Sequence, residues 1–467
     1  MDAVPADDLM IENRTFDEIA IGDCASLQRT LSQDDIALFA SVSGDVNPAH
    51  LDPAFARANL FHRIIAHGMW GGALISAVFG TKLPGPGTIY VSQDLHFLKP
   101  VSLGDALTVS VTASEKRAAR HEVVFTCRCT NQHGVDAIVG NAVVIAPTEK
   151  VRLPRIALPE VRVSRHERYR DLLARCAGKP PLATAVVHPC DRASLEAAVE
   201  AAAAGLIAPI LVGPEAKIRT LAAAEKIDIA PFRLVDVAHS HAAARKAVEM
   251  ARGAEVALLM KGSLHTDELM SALVATDSGL RTERRVSHVY LFDVPGYPRP
   301  LLVTDAAVNI MPSLEDKRDI VQNAIDLAHV LGLMVPKVAI LSAVETITPK
   351  LVSTLDAAAL CKMADRGQIT GALLDGPLAF DNAVSPEAAR DKGIVSAVAG
   401  QADILVVPDL VSGNMLAKQL TFLAGADAAG VVLGARVPVI LTSRADGART
   451  RLASCAVAAE LARGQRP

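Results

Sequence analysis

Eight short apolar runs recur between residues 183 and 443: ATAVVH (183–188), APILVG (208–213), VALLM (256–260), LLVTD (301–305), VAIL (338–341), GALLDG (371–376), ADILVVPD (402–409) and VPVILTS (437–443). Ala-rich stretches of helical length separate them. Strands covered on both faces read as continuous Val/Ile/Leu runs, and parallel neighbours need a crossover helix between them. The repeat therefore confines residues 166–467 to an α/β arrangement. Ligands on such sheets bind beyond the carboxyl ends of the strands, which directs attention to His188, Lys261, Asp305, Asp375, Asp409 and Ser443. The Arg/Lys-free run AAVEAAAAGLIAP (197–209) reads as helix rather than a cofactor-binding segment, with Asp191 or Ser194 capping its start.

Before residue 150 the period is different. An apolar helix-like stretch, HGMWGGALISAVFG (67–80), precedes four strand-like runs. Residues 89–97 alternate through Ile89, Val91, Leu95 and Phe97, and 107–111 through Leu107, Val109 and Val111. Residues 121–129 set Val123, Phe125, Cys127 and Cys129 against Glu122, Thr126 and Arg128, and 137–145 are almost continuously apolar. Gly104, Asp105, His133 and Gly134 mark the turns. A helix followed by a meander of long antiparallel strands is an α+β arrangement. The three prolines within 147–165 suit a linker, so the chain is expected to divide into 1–150, a linker over 151–165, and 166–467.

Several function classes fall away. A net charge of −4 gives no electrostatic case for nucleic acid or an anionic membrane surface as partner. No apolar run reaches the roughly 18 residues of a spanning helix. The start, MDAVPADDLM, lacks the order of a secretory signal. Seven scattered cysteines point to a reducing cytoplasm. Cys127 and Cys129 have no partner pair at zinc spacing and read as core thiols; no metal is expected.

Residues 43–50, SGDVNPAH, place Asp45 and His50 on one short turn. Gly, Asn and Pro are ordinary turn residues, and Asn or Asp there usually bonds its own backbone. On a regular helix or strand the two side chains would diverge, whereas a tight turn lets them converge on one water. The run Phe39, Ser43-Gly44-Asp45, Asn47-Pro48 and His50, followed by His67-Gly68-Met69, resembles the MaoC-like (R)-specific enoyl-CoA hydratases of the hot-dog fold, over about residues 12–147. LPGPGTIYVSQDLHFLKPVSLGD (83–105) resembles that family's first long strands, and Ala49 stands where the family often has a larger aliphatic. The resemblance implies hydration of a short 2-enoyl-CoA to the 3-hydroxyacyl-CoA. It gives Asp45 and His50 the acid–base work and the Gly68 N–H the oxyanion role. Asn47 is carried over as a substrate-binding residue and Ser76 as a supporting hydrogen bond. His67 reads as structural at the helix start, and His62, His96 and His121 as ordinary surface or core histidines. Hot-dog domains usually pair through sheet edges, so a homo-oligomer through this domain is expected.

Five blocks of the second half, LLMKG (258–262), VPGYPRPLLVTDAAVNIMPSLEDK (294–317), LLDGPLAFDNAV (373–384), ADILVVPDLVSGNMLAK (402–418) and TSRAD (442–446), resemble the phosphate acetyl/butyryltransferases, more closely the butyryl branch. The resemblance implies an α/β region of two subdomains that moves a short acyl group between CoA and phosphate. Its partners would be acyl-CoA, phosphate and acyl phosphate, with CoA as substrate or product and no tightly bound cofactor. Such a reaction needs its two substrates held in line, a proton acceptor, a cation on the phosphate and a donor at the oxyanion. Arg444 suits the phosphate through its planar fork, Ser443 the reacting centre, and Asp446 the thiol proton. Related acetyltransferases carry their acid where this chain has Ala448 to Arg451, and butyryl-type relatives usually have Ser where Gly447 stands, so the identity of the base stays open. Lys261, Asn309, Asp375 and Asn414 are further substrate-binding candidates. No Walker-type glycine loop is present, so the phosphate is not a nucleotide's. Together the halves read as a cytoplasmic bifunctional acyl-CoA enzyme. The alternatives are a transferase carrying an inert hot-dog dimerisation or acyl-binding module, and a transferase-like half that only senses acyl-CoA.

Overall fold

The apolar stretch at 67–80 forms the helix Gly68–Thr81, and a five-stranded antiparallel sheet packs against it. The computed structural model describes residues 10–159, 161, 163, 167–442 and 446–464, and the chain divides into two units, Met1–Ser164 and Arg165–Pro467. In the first unit the strand order is Cys24–Thr30, Ala106–Arg117, Glu122–Thr130, Asp136–Ile145, Ile89–Phe97. Trp70, Ile75 and Phe79 of the helix share one core with Val109, Phe125 and Val144 of the sheet. The helix can lie this close because Gly71 has no Cβ; one added there would stand 2.3 Å from Ile138 Cδ1. A helix held by an antiparallel sheet is the hot-dog arrangement. Cys127 and Cys129 are fully buried in this core, and burial pushes both thiols up to about 12.

Two details depart from the alternation in the sequence. The apolar set expected on the core face of strand Ile89–Phe97 is mostly outside, with Ile89 59% and Phe97 53% exposed. The strand is the outermost of the sheet, and a register shift between Tyr90 and Ser92 breaks its alternation. The strand Cys24–Thr30, CASLQRT, was not expected from its mixed composition; it pairs along Ala106–Thr112. Within the stretch expected as linker, Arg152–Pro154 pairs antiparallel with Met10–Glu12. Beside this pair the buried Asn13 donates to Glu149 O at 2.8 Å and accepts from the Val151 N–H at 2.9 Å.

The second unit holds an 11-stranded sheet. Its order is Arg233–Asp236, Ile207–Gly213, Leu182–Val187, Leu258–Lys261, Val439–Ile440, Asp427–Leu433, Ser287–Asp293, Leu301–Thr304, Ile404–Val406, Lys337–Leu341, Leu373–Leu378. Every expected run contributes a strand, and Arg233–Asp236, Ser287–Asp293 and Asp427–Leu433 are additional. The sheet is not purely parallel, contrary to the expectation from its apolar runs. Ser287–Asp293 is antiparallel to both neighbours, and Asp427–Leu433 is antiparallel to Val439–Ile440. The two parallel blocks on either side therefore run in opposite directions. Strand-end residues are sorted accordingly: His188 and Lys261 follow one block, Asp305, Asp409 and Asp375 belong to the other. Asp191 caps the helix Arg192–Ala203 by accepting from the Ser194 N–H, and Asp409 caps Leu410–Phe422 by accepting from the Ser412 N–H. Among the described residues no helix is long and apolar enough to cross a membrane.

Candidate active sites

In the first unit the helix Gln33–Ser43 ends on Gly44 at φ 75°, a left-handed conformation that glycine adopts at little cost. The chain then folds back on itself. The Asn47 N–H donates to Asp45 Oδ1 at 3.1 Å, and Asn47 Oδ1 accepts from the Ala49 N–H at 3.1 Å, opening the short helix Pro48–Leu51 that carries His50. Asn47, expected to bind substrate, thus uses its side-chain oxygen as a helix cap. Asp45 is exposed, whereas His50 and His67 are buried, 9% and 3% exposed. A ligand-capable atom of each of these three residues lies within 4.8 Å of the other two.

Backbone carbonyls set the state of both rings. His50 Nδ1 lies 2.9 Å from Ile65 O, and His67 Nε2 lies 3.0 Å from Asp45 O. A carbonyl only accepts, so each of those nitrogens carries a proton. The two rings are 4.0 Å apart. The sequence treats His67 as merely structural; the structure makes it the residue that joins the Asp45 turn to the central helix. Its sequence signal was its place in the His67-Gly68-Met69 run.

Gly68 is the first residue of that helix, so its N–H is one of the four donors that a helix start leaves free, at the positive end of the dipole. A Cβ at Gly68 would lie 3.0 Å from Phe97 Cε1, so a larger residue there would press on that ring. Ser76 is on the same helix but exposed, about 12 Å further along the axis at 1.5 Å per residue.

In the second unit, Ser443 and Arg444 lie outside the described residues. Lys261 is buried and sits one step beyond the Met260–Ile440 pair, next to the strand that leads into TSRAD. Asp446 is half-buried, and its carbonyl accepts from Arg451 Nη1 at 2.6 Å. Its carboxylate bears on Tyr290, whose hydroxyl burial, first, and the Asp446 charge, second, push up to about 12.

Tyr290 stands edge-on to His288, ring centres 4.4 Å apart. Gly430 makes room for both, since a Cβ there would fall 3.0 Å from His288 Nε2 and 2.6 Å from Leu441 O. Complete burial lowers His288 to about 4, against the opposing pull of Asp305. Asp305, also buried, accepts from the N–H groups of His288, Ala307, Val308 and Asn309 and from Asn309 Nδ2 at 2.6 Å. Asn309 Oδ1 accepts from Arg285 Nε at 2.8 Å, and Asn414 Nδ2 donates to Ala306 O at 3.2 Å. Asn309 and Arg285 line a cleft of about 800 Å³ that also holds Arg281, Arg284 and one face of the helix Thr266–Val274. Of the sequence candidates, Asn309 and Asn414 therefore meet around Asp305, and Asp446 approaches them through Tyr290 and His288. Asp375 lies on the edge strand, separated from Leu301–Thr304 by two strands. Arg285, His288 and Tyr290 were missed, the last two because SHVYLFD (287–293) lacks the continuous apolar signature of the other strands.

Residues 240–459 match the family described as phosphate acetyl/butaryl transferase, and residues 23–133 the MaoC like domain. The phosphate acetyltransferase of Rhizobium meliloti is 65% identical over 292 residues, 62% of this chain and 92% of that protein. The phosphate butyryltransferase of Clostridium acetobutylicum is 40% identical over 294 residues, 63% of this chain and 98% of its own length. The likeness thus leans to the acetyl side rather than to the butyryl branch expected from the motifs. A branched-chain phosphotransacylase of Enterococcus faecalis V583, of known structure, superposes with a TM-score of 0.53 at 29% identity, covering 60% of this chain and 99% of that one. The chain belongs to the phosphate acetyl/butyryltransferase family, with a MaoC-like hot-dog domain preceding the transferase region.

Proposed function

We propose that the chain is a bifunctional acyl-CoA enzyme. Its second unit exchanges CoA and phosphate on a short acyl group, with acetyl favoured over butyryl. The observation that carries this part is the 65% identity to a phosphate acetyltransferase across 92% of that protein's length. A phosphate oxygen attacks the thioester carbonyl, the tetrahedral adduct collapses, and the departing thiolate takes up a proton. Arg444 holds the phosphate, Ser443 donates at the reacting centre, and Asp446 serves as the proton carrier. Lys261 and Asn309 contribute to substrate binding.

The first unit adds water across the double bond of a short 2-enoyl-CoA. What supports this reading is the convergence of Asp45 and His50 with the imidazole tautomer fixed by Ile65 O, so that Nε2 is available to a water. The pair removes a proton from that water as its oxygen bonds C3 and returns one to C2, while the Gly68 N–H takes the charge on the thioester oxygen. The exposed apolar edge strand Ile89–Phe97 suits self-association of this unit, and seven free thiols suit a reducing cytoplasm. The test is to assay the purified protein with crotonyl-CoA alone, and with acetyl-CoA or butyryl-CoA plus phosphate. Loss of the enoyl-thioester absorbance and phosphate-dependent CoA release are both expected. Release of CoA without any hydration would reduce the hot-dog unit to a binding or dimerisation module.

A further inference from the structure

Asp446 closes the TSRAD block, and a side chain of the helix that follows holds it. Arg451 Nη1 donates to the Asp446 carbonyl at 2.6 Å. The helix Ala448–Gly464 carries Arg451 in its first turn, from which side chains reach back toward the preceding residues. A cation is out of place there. The positive end of the helix dipole favours acids, yet this first turn has no acidic residue and carries Arg449 and Arg451 instead.

The surroundings also compensate poorly for taking this charge out of water. The Arg451 side chain is 12% exposed, and its charge partner, Glu200 Oε2 of the helix Arg192–Ala203, stands 3.9 Å from Nη2 on a side chain 40% exposed. Arg451 Nε and Glu200 Oε2 are buried and, among the described residues, have no hydrogen-bond partner. A guanidinium with a long ion pair and an idle donor is a poor stabiliser, and an apolar side chain of similar volume does as well or better in such places. Local rules broken without a gain in stability mark positions where function sets the residue. What the guanidinium does achieve is one short bond, to the carbonyl of the residue read as the proton carrier. Gly447, next in the chain, has open space where a Cβ would stand, so no side chain at that position packs the turn in place.

We propose that Arg451 is a positioning residue of the transferase site, holding Asp446 through its backbone carbonyl while Glu200 steadies Arg451 from the helix Arg192–Ala203. This rests on the reading of Asp446 as the proton carrier. The test is phosphate-dependent CoA release from acetyl-CoA by the full chain, with kcat, KM and the thermal midpoint measured for each variant. R451M removes the donor and the charge and keeps an apolar stem. Its kcat should fall about ten- to a hundredfold, with both KM values within about twofold and the second unit's midpoint unchanged or raised. R451K retains a donor that can reach the carbonyl and should recover most of the lost rate. D446N supplies the reference: a change acting through Asp446 should cost little further in the D446N background. Parental turnover in R451M beside a slow D446N would overturn the positioning role and leave the proton-carrier reading standing. Parental turnover in D446N beside a slow R451M would sink that reading, and the role of Arg451 through Asp446 with it. Losses that simply add, an R451K as slow as R451M, or an R451M chain that fails to fold would each overturn the proposal, the last by making Arg451 a structural residue.

Discussion

His67 donates its Nε2 proton to the backbone carbonyl of Asp45 at 3.0 Å. That one bond ties the turn bearing the carboxylate to the start of the helix bearing the Gly68 N–H. The Asp45–His50 turn and the Gly68 N–H are thereby placed by the same buried ring, against which His50 also packs. Positioning of this kind matters because misplacement by an ångström erodes both proton transfer and in-line attack.

Asp45→Asn should lower hydration of crotonyl-CoA by about a hundredfold or more, the usual contribution of a positioned acid–base group. Phosphate-dependent release of CoA should stay at the parental rate, because the two reactions use different units. The measurement is both assays on one preparation; a parallel fall of the two would refute separate sites.

A fragment of residues 1–159 should fold and keep hydratase activity, whereas 1–150 should be less stable. The shorter piece lacks Val151 and the strand Arg152–Pro154, so the buried Asn13 loses its Val151 donor and Met10–Glu12 its partner. Leaving such a group unpaired costs about 1–3 kcal/mol. Urea midpoints of the two fragments read this difference directly.

Strand Ile89–Phe97 has a neighbour on one side only and carries exposed Ile89, Val91 and Phe97. Val91→Lys, a charge on an open edge, should shift the 1–159 fragment from dimer to monomer in sedimentation. A fragment that is monomeric without the substitution would remove the edge as an assembly surface.

Buried His288 is held neutral down to about pH 4, while in the unfolded chain it titrates near its usual 6.5. Between those values the unfolded chain binds more protons, so stability rises with pH and is lost as pH falls from 6.5 toward 4. For this group alone the loss between pH 7 and pH 5 is on the order of 2 kcal/mol. His288→Asn should flatten that part of the second unit's stability profile, whatever its effect at pH 7. An unchanged slope would place the titrating group elsewhere.

Arg444→Lys should raise the phosphate requirement roughly ten- to a hundredfold with little effect on acyl-CoA, since lysine keeps the charge and loses the bidentate fork. Initial rates at varied phosphate decide this. Unchanged saturation would move the phosphate to another cation, Lys261 first.

The elements legible in the sequence were those whose burial is uniform. Runs such as ATAVVH and APILVG became strands because both their faces are covered, and the alternation of Val123, Phe125, Cys127 and Cys129 survived because one face meets the helix. Ser287–Asp293 and Asp427–Leu433 were hidden for a physical reason: one carries His288 and Tyr290, the other Gly430, which gives them space. Missing these two strands also hid the reversal of sheet direction. The Asp45–His50 turn was legible because Gly44, Asn47 and Pro48 enforce it locally. His67 was not, because its role depends on contacts 17 and 22 residues back along the chain.

The strand Val439–Ile440 stands in the interior of the 11-stranded sheet, between Leu258–Lys261 and Asp427–Leu433. During synthesis the hot-dog unit has all its strands once residue 154 has emerged, and it can close while the rest is still being made. The transferase sheet cannot. Until residues beyond 440 leave the ribosome it remains two unconnected half-sheets, with the edge at Leu258–Lys261 open to stray pairing. A stop codon at residue 435 would therefore yield a finished hot-dog unit attached to an aggregation-prone remnant, so the residues from 435 onward decide whether the second unit can close its sheet and leave the first intact.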